Sequence, residues 1–165
     1  MYKRILILGT GGSGKTTLGK KIGKIISAES KSVDDLRYSN DFNHRFSDKK
    51  QDNNLKRLLG KNKWVLDGVY NETYITSALK KADLIIVLKS SRLKLVYQIM
   101  KRELAKINRK NKPLFSLLKI LYWSQKFKRH NEAKPLQLAE KFKKKLIFLE
   151  NNSQKKDFIN ALIKT

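Results

Sequence analysis

Ile5-Leu6-Ile7-Leu8-Gly9-Thr10-Gly11-Gly12-Ser13-Gly14-Lys15-Thr16-Thr17 joins four apolar residues to a segment that satisfies G-x-x-x-x-G-K-[ST] at every fixed position from Gly9 to Thr16. The apolar run suits a strand buried on both faces. Beyond it, Leu18, Ile22, Ile25 and Ile26 recur at i, i+4, i+7 and i+8, which predicts a helix over Lys15 to Ser27. Strand, glycine-rich loop and helix therefore follow one another in the order that binding of a phosphate by main-chain amides requires. Glycines at 9, 11, 12 and 14 tolerate positive φ and let N–H groups turn inward without Cβ obstruction, while the helix start adds its own unsatisfied donors. Lys15 would reach the outer phosphates of a bound nucleotide and the Thr16 hydroxyl would ligate the Mg²⁺ that bridges them. Candidate nucleotide contacts are thus Gly9, Gly11, Gly12, Ser13, Gly14, Lys15, Thr16 and Thr17.

Outward from this segment the chain alternates short apolar runs with helix-length stretches. Strands are predicted at Lys3 to Leu8, weakly at Lys31 to Leu36, and at Trp64 to Leu66, Leu84 to Leu88 and Leu146 to Leu149. Helices are predicted at Asp48 to Leu59, Glu72 to Lys81 and Arg92 to Ile107, the last with Leu93, Val96, Met100, Leu104 and Ile107 in one stripe. This alternation is the signature of an α/β fold with a parallel sheet. Gly19 and Gly23 weaken the first helix unless close packing on the sheet offsets them. Residues 114–127 are apolar at nearly every helical angle, which fits a buried cover helix or a subunit interface, with a membrane-surface patch or base-stacking platform as alternatives. With no internal repeat or linker, the whole of 1–165 reads as one domain.

Four sets of polar residues stand where chemistry is expected. Asp67 ends the Val65-Leu66 run and precedes Gly68, the place for an acid that holds Mg²⁺ at a strand's carboxyl end; an Asp-Gly turn is the plainer alternative. Asp34 and Asp35 close the weak second strand, where either can accept a proton from an acceptor hydroxyl or cap a helix; Asp35 is the candidate base. Arg92 follows the fourth strand at the mouth of the crevice. Arg102 and Arg109 are candidates to neutralise charge on a transferred group, arginine being chosen in a chain with 30 Lys and 8 Arg. His44 and His130 have no partner pattern and no assigned role.

Composition bounds the function. The 165 residues suit a single domain, and the absence of Cys excludes disulfides, thiolate metal sites and cysteine nucleophiles, pointing to a cytoplasmic protein. No apolar run reaches the ~18 residues of a membrane span. The Met1 to Leu8 segment imitates the basic start of a signal peptide, but its apolar run stops at Gly9 and is read as a strand. A formal charge of +24 favours phosphate-bearing partners and keeps nucleic acid among the candidates, although lysine spread through every segment reads equally as a solvated surface.

Gly9 to Thr17, Asp34-Asp35, Trp64-Val65-Leu66-Asp67-Gly68, the Ala82 to Leu88 strand and the Arg92-led helix together resemble the adenylate-kinase-like P-loop kinases, and within them most closely the DNA topology modulation proteins. The resemblance implies a P-loop NTPase fold with a five-stranded parallel sheet, ATP at the loop, and a helical lid around 101–130. Adenylate kinases follow their Asp-Gly with Phe-Pro-Arg, whereas Val69-Tyr70-Asn71 stands here, so an arginine that grips an acceptor nucleotide is missing. The expectation is an ATP- and Mg²⁺-dependent phosphotransferase acting on a small molecule, nucleoside or nucleotide. The alternative is a nucleotide-binding protein acting on DNA or RNA, with ATP hydrolysis as its switch.

Overall fold

Runs such as Ile5 to Leu8 and Leu84 to Leu88 have no polar face to give to water, so they require cover on both sides, and the fold supplies it. The computed structural model describes residues 2–9, 12–39, 43–68, 72–89, 137, 140–141 and 145–164, with the backbone alone for 72–75. Five strands, β1 (Arg4–Gly9), β2 (Glu29–Ser32), β3 (Trp64–Asp67), β4 (Leu84–Leu88) and β5 (Lys145–Leu149), form one sheet in the order β2-β3-β1-β4-β5. Every neighbouring pair is parallel. The helices are α1 (Lys15–Ile25), α2 (Val33–Arg37), α3 (Asp48–Leu59), α4 (Glu72–Lys81) and α5 (Asn152–Ile163).

Strand periodicity divides the core into two layers. Ile5 and Ile7 of β1, Val65 of β3 and Leu84, Ile86 and Leu88 of β4 pack against Leu18 and Ile22 of α1 and Leu162 of α5. Leu6 and Leu8, Trp64 and Leu66, and Ile85 and Val87 face the other way, onto Val33 and Leu36 of α2, Leu55, Leu58 and Leu59 of α3, and Ala78 and Leu79 of α4. Helices on both faces of a parallel sheet make this the α/β architecture expected. Helix α1 comes very close to the sheet: a Cβ on Gly23 would stand 3.0 Å from both the Ala28 carbonyl oxygen and the Ser30 Cβ. That close approach explains the helix-weakening glycine.

The expected elements at 48–59, 72–81 and 84–88 appear with those bounds, and the first, third and last strands shift by a residue or so. The second strand is different. It occupies Glu29–Ser32, and residues 33–36, expected to be extended, belong to α2. The physical reason is local capping. The Ser32 hydroxyl accepts from the Asp34 amide at 3.0 Å, and Asp35 Oδ2 accepts from the Ser32 amide at 2.8 Å. A helix start thus competes with the strand, and Val33 and Leu36 are buried by α2 rather than by sheet alternation. Asp34 and Asp35 therefore lie in a first helical turn, not at a strand end. The helix expected at 92–107, the apolar stretch 114–127 and the lid around 101–130 lie outside the described residues.

Two features of the topology locate the site. From β1 the chain crosses to β2 on one side, and from β3 it crosses to β4 on the other side of β1, so the connections diverge beside the central strand. Ligands of open α/β sheets collect at the strands' carboxyl ends at such a point. At the opposite end, Arg4 Nη2 donates to Asp83 Oδ1 at 2.7 Å, and the Arg4 and Lys3 amides donate to Asp83 Oδ2 at 2.9 and 3.2 Å. Burial works to raise the Asp83 carboxyl, but these hydrogen bonds outweigh it and hold the group below the usual range. That end serves alignment of β1 with β4. Among the described residues, no helix is long and apolar enough to cross a membrane.

Candidate active site

The loop after β1 is shaped by glycine geometry. Gly9, Gly12 and Gly14 have φ of 152°, 77° and 87°. At Gly9 the space is also closed, since a Cβ would meet the Leu88 carbonyl oxygen at 2.8 Å. Gly14, left-handed, is the N-cap of α1, and no side chain caps that helix start. The first helical hydrogen bond runs from the Leu18 amide to the Gly14 carbonyl at 3.0 Å, so the amides before Leu18 have no carbonyl within α1 to bind. They point along the axis toward the carboxyl edge of the sheet, where the helix dipole favours an anion. Thr10 and Gly11 lie outside the described residues.

Asp67 is brought to this helix start by the sheet. It is the last residue of β3 and stands in register with Ile7 of β1 and Ser32 of β2. Thr16, in the first turn of α1, donates its hydroxyl to Asp67 Oδ1 at 3.1 Å. The Asp67 residue is 3% exposed, and its other oxygen, Oδ2, is buried without a hydrogen-bond partner among the described residues. Burial pushes the carboxyl up to about 6, against the lowering effects of the Lys15 ammonium and the Thr16 hydrogen bond; Asp35 and Asp34 add to the rise. A buried carboxylate with one oxygen left without a hydrogen bond is destabilised until a cation or proton arrives. Hydroxyl and carboxylate oxygens together are a donor set suited to Mg²⁺, which keeps part of its shell for water and phosphate. Among the described residues, no group of three or more His, Cys, Asp or Glu is placed to enclose a metal.

The sheet and α1 therefore gather Gly9, Gly12, Ser13, Gly14, Lys15, Thr16 and Asp67 around one edge, and the electrostatic influence on Asp67 places Lys15, Asp34 and Asp35 nearby. Asp34 is half-buried and Asp35 exposed. Arg92, Arg102 and Arg109 lie outside the described residues. One contact had no forerunner in the sequence patterns: Lys155 of α5 donates Nζ to the Ser13 carbonyl oxygen at 2.9 Å. Lys155 is 142 positions from Ser13, and nothing in the sequence near it distinguishes it from its many lysine neighbours. A second feature, also silent in sequence, is the buried Ser13 hydroxyl, which has no hydrogen-bond partner among the described residues.

Solved structures share this fold. A shikimate kinase from Acinetobacter baumannii, in complex with shikimate, matches 98% of this chain and 91% of its own at a TM-score of 0.62 and 15% identity. A shikimate kinase from Bacteroides thetaiotaomicron matches 99% of this chain and 98% of its own, with a TM-score of 0.57 and 15% identity. The fold is the one that these two kinases have. A gluconokinase from Sinorhizobium meliloti 1021 has it too, at a TM-score of 0.53 and 14% identity over 98% of this chain and 90% of its own. No protein-family model and no curated protein matches the chain. The narrower likeness to DNA topology modulation proteins therefore rests on sequence motifs alone, whereas the α/β fold shared with these kinases extends across nearly the whole chain.

Proposed function

We propose that this chain is an ATP- and Mg²⁺-dependent phosphotransferase that moves the terminal phosphoryl group of ATP to a hydroxyl of a small molecule. The observation that carries the reading is the pairing of the Thr16 hydroxyl with Asp67 Oδ1, with Asp67 Oδ2 buried and lacking a partner among the described residues, beside the uncapped start of α1. An anion-binding helix end and a cation-binding oxygen pair at one sheet edge suit a magnesium–nucleotide complex. Kinase neighbours whose names give a hydroxyl-bearing acid, shikimate, or a gluconate as substrate favour a hydroxyl acceptor over a nucleotide phosphate.

In this reading the loop amides and Lys15 hold the phosphates. Thr16 and Asp67 would hold Mg²⁺, which supplies neutralisation of phosphate charge when bound. Transfer breaks the bond between the terminal phosphorus and the oxygen that leaves with ADP, and forms one to the acceptor oxygen, whose proton passes to a carboxylate. Asp35 is assigned that base role, its carboxylate oriented by the Ser32 amide. Arg92, Arg102 and Arg109 are assigned to charge neutralisation on their sequence positions. The soluble enzyme would work in the cytoplasm.

The test is ATP-dependent phosphorylation across a panel of hydroxy acids, sugars, sugar acids and nucleosides, with wild-type protein and Lys15→Ala. Lys15→Ala is expected to lose transfer to the acceptor found while keeping its circular dichroism spectrum. Undiminished turnover in that variant would remove the assignment. Phosphorylation of an oligonucleotide end in preference to every small acceptor would instead favour a nucleic-acid substrate.

A further inference from the structure

The peptide unit between Ser13 and Gly14 is held from outside the loop. Lys155 Nζ, reaching over from the first turns of α5, donates to the Ser13 carbonyl at 2.9 Å and would lie 3.7 Å from a Cβ placed on Gly14. The described backbone has no cis peptide bonds, and in a trans unit the carbonyl and the following amide point in opposite directions. Fixing the Ser13 oxygen toward Lys155 therefore turns the Gly14 N–H away from α5. The next unit is fixed independently, because the Gly14 carbonyl accepts the first hydrogen bond of α1 from Leu18. Consecutive peptide planes oriented in this way present successive N–H groups to one anion. Lys155 also brings positive charge from the end of the fold opposite in sequence to the loop.

We propose that Lys155 is a positioning residue for the phosphate loop: by anchoring the Ser13 carbonyl to α5, it sets the direction of the Gly14 amide and so the loop's affinity for the nucleotide's phosphates. The inference rests on the reading of the loop as a nucleotide site. Lys155 is half-buried on a helix whose own start is capped by Asn151, whose side-chain oxygen accepts from the Gln154 amide at 2.9 Å. Loss of its ammonium should therefore leave α5 folded while freeing the Ser13–Gly14 unit to rotate.

The experiment is calorimetric titration of MgATP and of inorganic tripolyphosphate into wild type, Lys155→Met, Lys155→Arg and Lys156→Met at one ionic strength. Lys156 is exposed on the same helix and serves as the control for loss of one positive charge. The expected result is a loss of at least about tenfold in affinity for both ligands in Lys155→Met, recovery to within about threefold in Lys155→Arg, and less than about a twofold effect in Lys156→Met. In ¹⁵N-labelled protein, the Gly14 amide resonance should shift on tripolyphosphate binding in wild type and shift less in Lys155→Met. Unchanged affinity in Lys155→Met, no recovery with arginine, or an equal loss in Lys156→Met overturns the inference. If Lys155→Met loses its circular dichroism spectrum, Lys155→Leu, which also has no donor, is titrated in its place with the same expectation. Wild type that binds neither ligand overturns the nucleotide-site reading itself, and this inference with it; wild type that binds both while Lys155→Met binds equally well overturns the inference alone.

Discussion

Asp67→Asn should make the ligand-free protein more stable at neutral pH while disabling the site, and the size of the effect follows from where the carboxyl sits. Burial raises its proton affinity from the ordinary 3.8 to about 6, a difference of about 2 pH units. At about 1.4 kcal/mol per unit, ionising the buried group costs the fold about 3 kcal/mol. The direction with pH is set by which state holds the proton. Below about pH 4 the carboxyl is protonated in both folded and unfolded chains, and the cost is absent. Between about 4 and 6 the folded state keeps a proton that the unfolded state has released, so stability falls as pH rises; above about 6 the full cost is present. Asparagine preserves the shape and an oxygen for Thr16 but carries no charge. Any fixed difference between asparagine and protonated aspartate is independent of pH, so the gap between variant and wild type isolates the charge. Urea unfolding of both proteins from pH 4 to 7.5, without nucleotide or magnesium, should show the gap widening by about 3 kcal/mol in favour of Asp67→Asn. In a protein of this size that corresponds to about 6–12 °C in melting temperature. Added MgATP should stabilise wild type and leave the variant nearly unmoved. A gap that stays flat with pH, or a variant stabilised by MgATP as strongly as wild type, would refute the reasoning.

Asp35→Asn retains an oxygen for the Ser32 amide and so should change stability by less than about 1 kcal/mol, while turnover of whichever acceptor the panel finds should fall by about 10²–10⁴; a wild-type rate leaves Asp35 with a capping role only. Gly9→Ala should destabilise the chain by about 1–3 kcal/mol in urea unfolding, because its φ of 152° and the Leu88 carbonyl 2.8 Å from the added Cβ leave a methyl group no space. An alanine variant as stable as wild type would mean that β1 and β4 separate at that end at little cost.

Much of the fold was legible because it is written in local or periodic signals. Continuous apolar runs at 5–8 and 84–88 can be satisfied only by cover on both faces, and the spacing of Leu18 and Ile22 turns one side of α1 to the sheet. The second strand was misplaced because Val33 and Leu36 fit strand and helix alike, and the Ser32–Asp35 hydrogen bonds decide for the helix. The loop's positive-φ glycines were legible in the same way, since they are close neighbours in sequence.

By itself, then, the amino-acid order determined the elements made of neighbours: the glycine loop, the helix after it and the apolar strands on either side. Only the tertiary structure decided which distant residues complete the edge where they meet. Thr16 and Asp67, each expected at one cation from its local pattern, are 51 positions apart, and Ser13 and the unforeseen Lys155 are 142 apart; each pair meets because parallel pairing lines up β1 with β3 and packs α5 beside α1. Such contacts leave no spacing rule in the chain, since they depend on strand order and crossover rather than on the 3.6- or 2-residue periods that local geometry imposes.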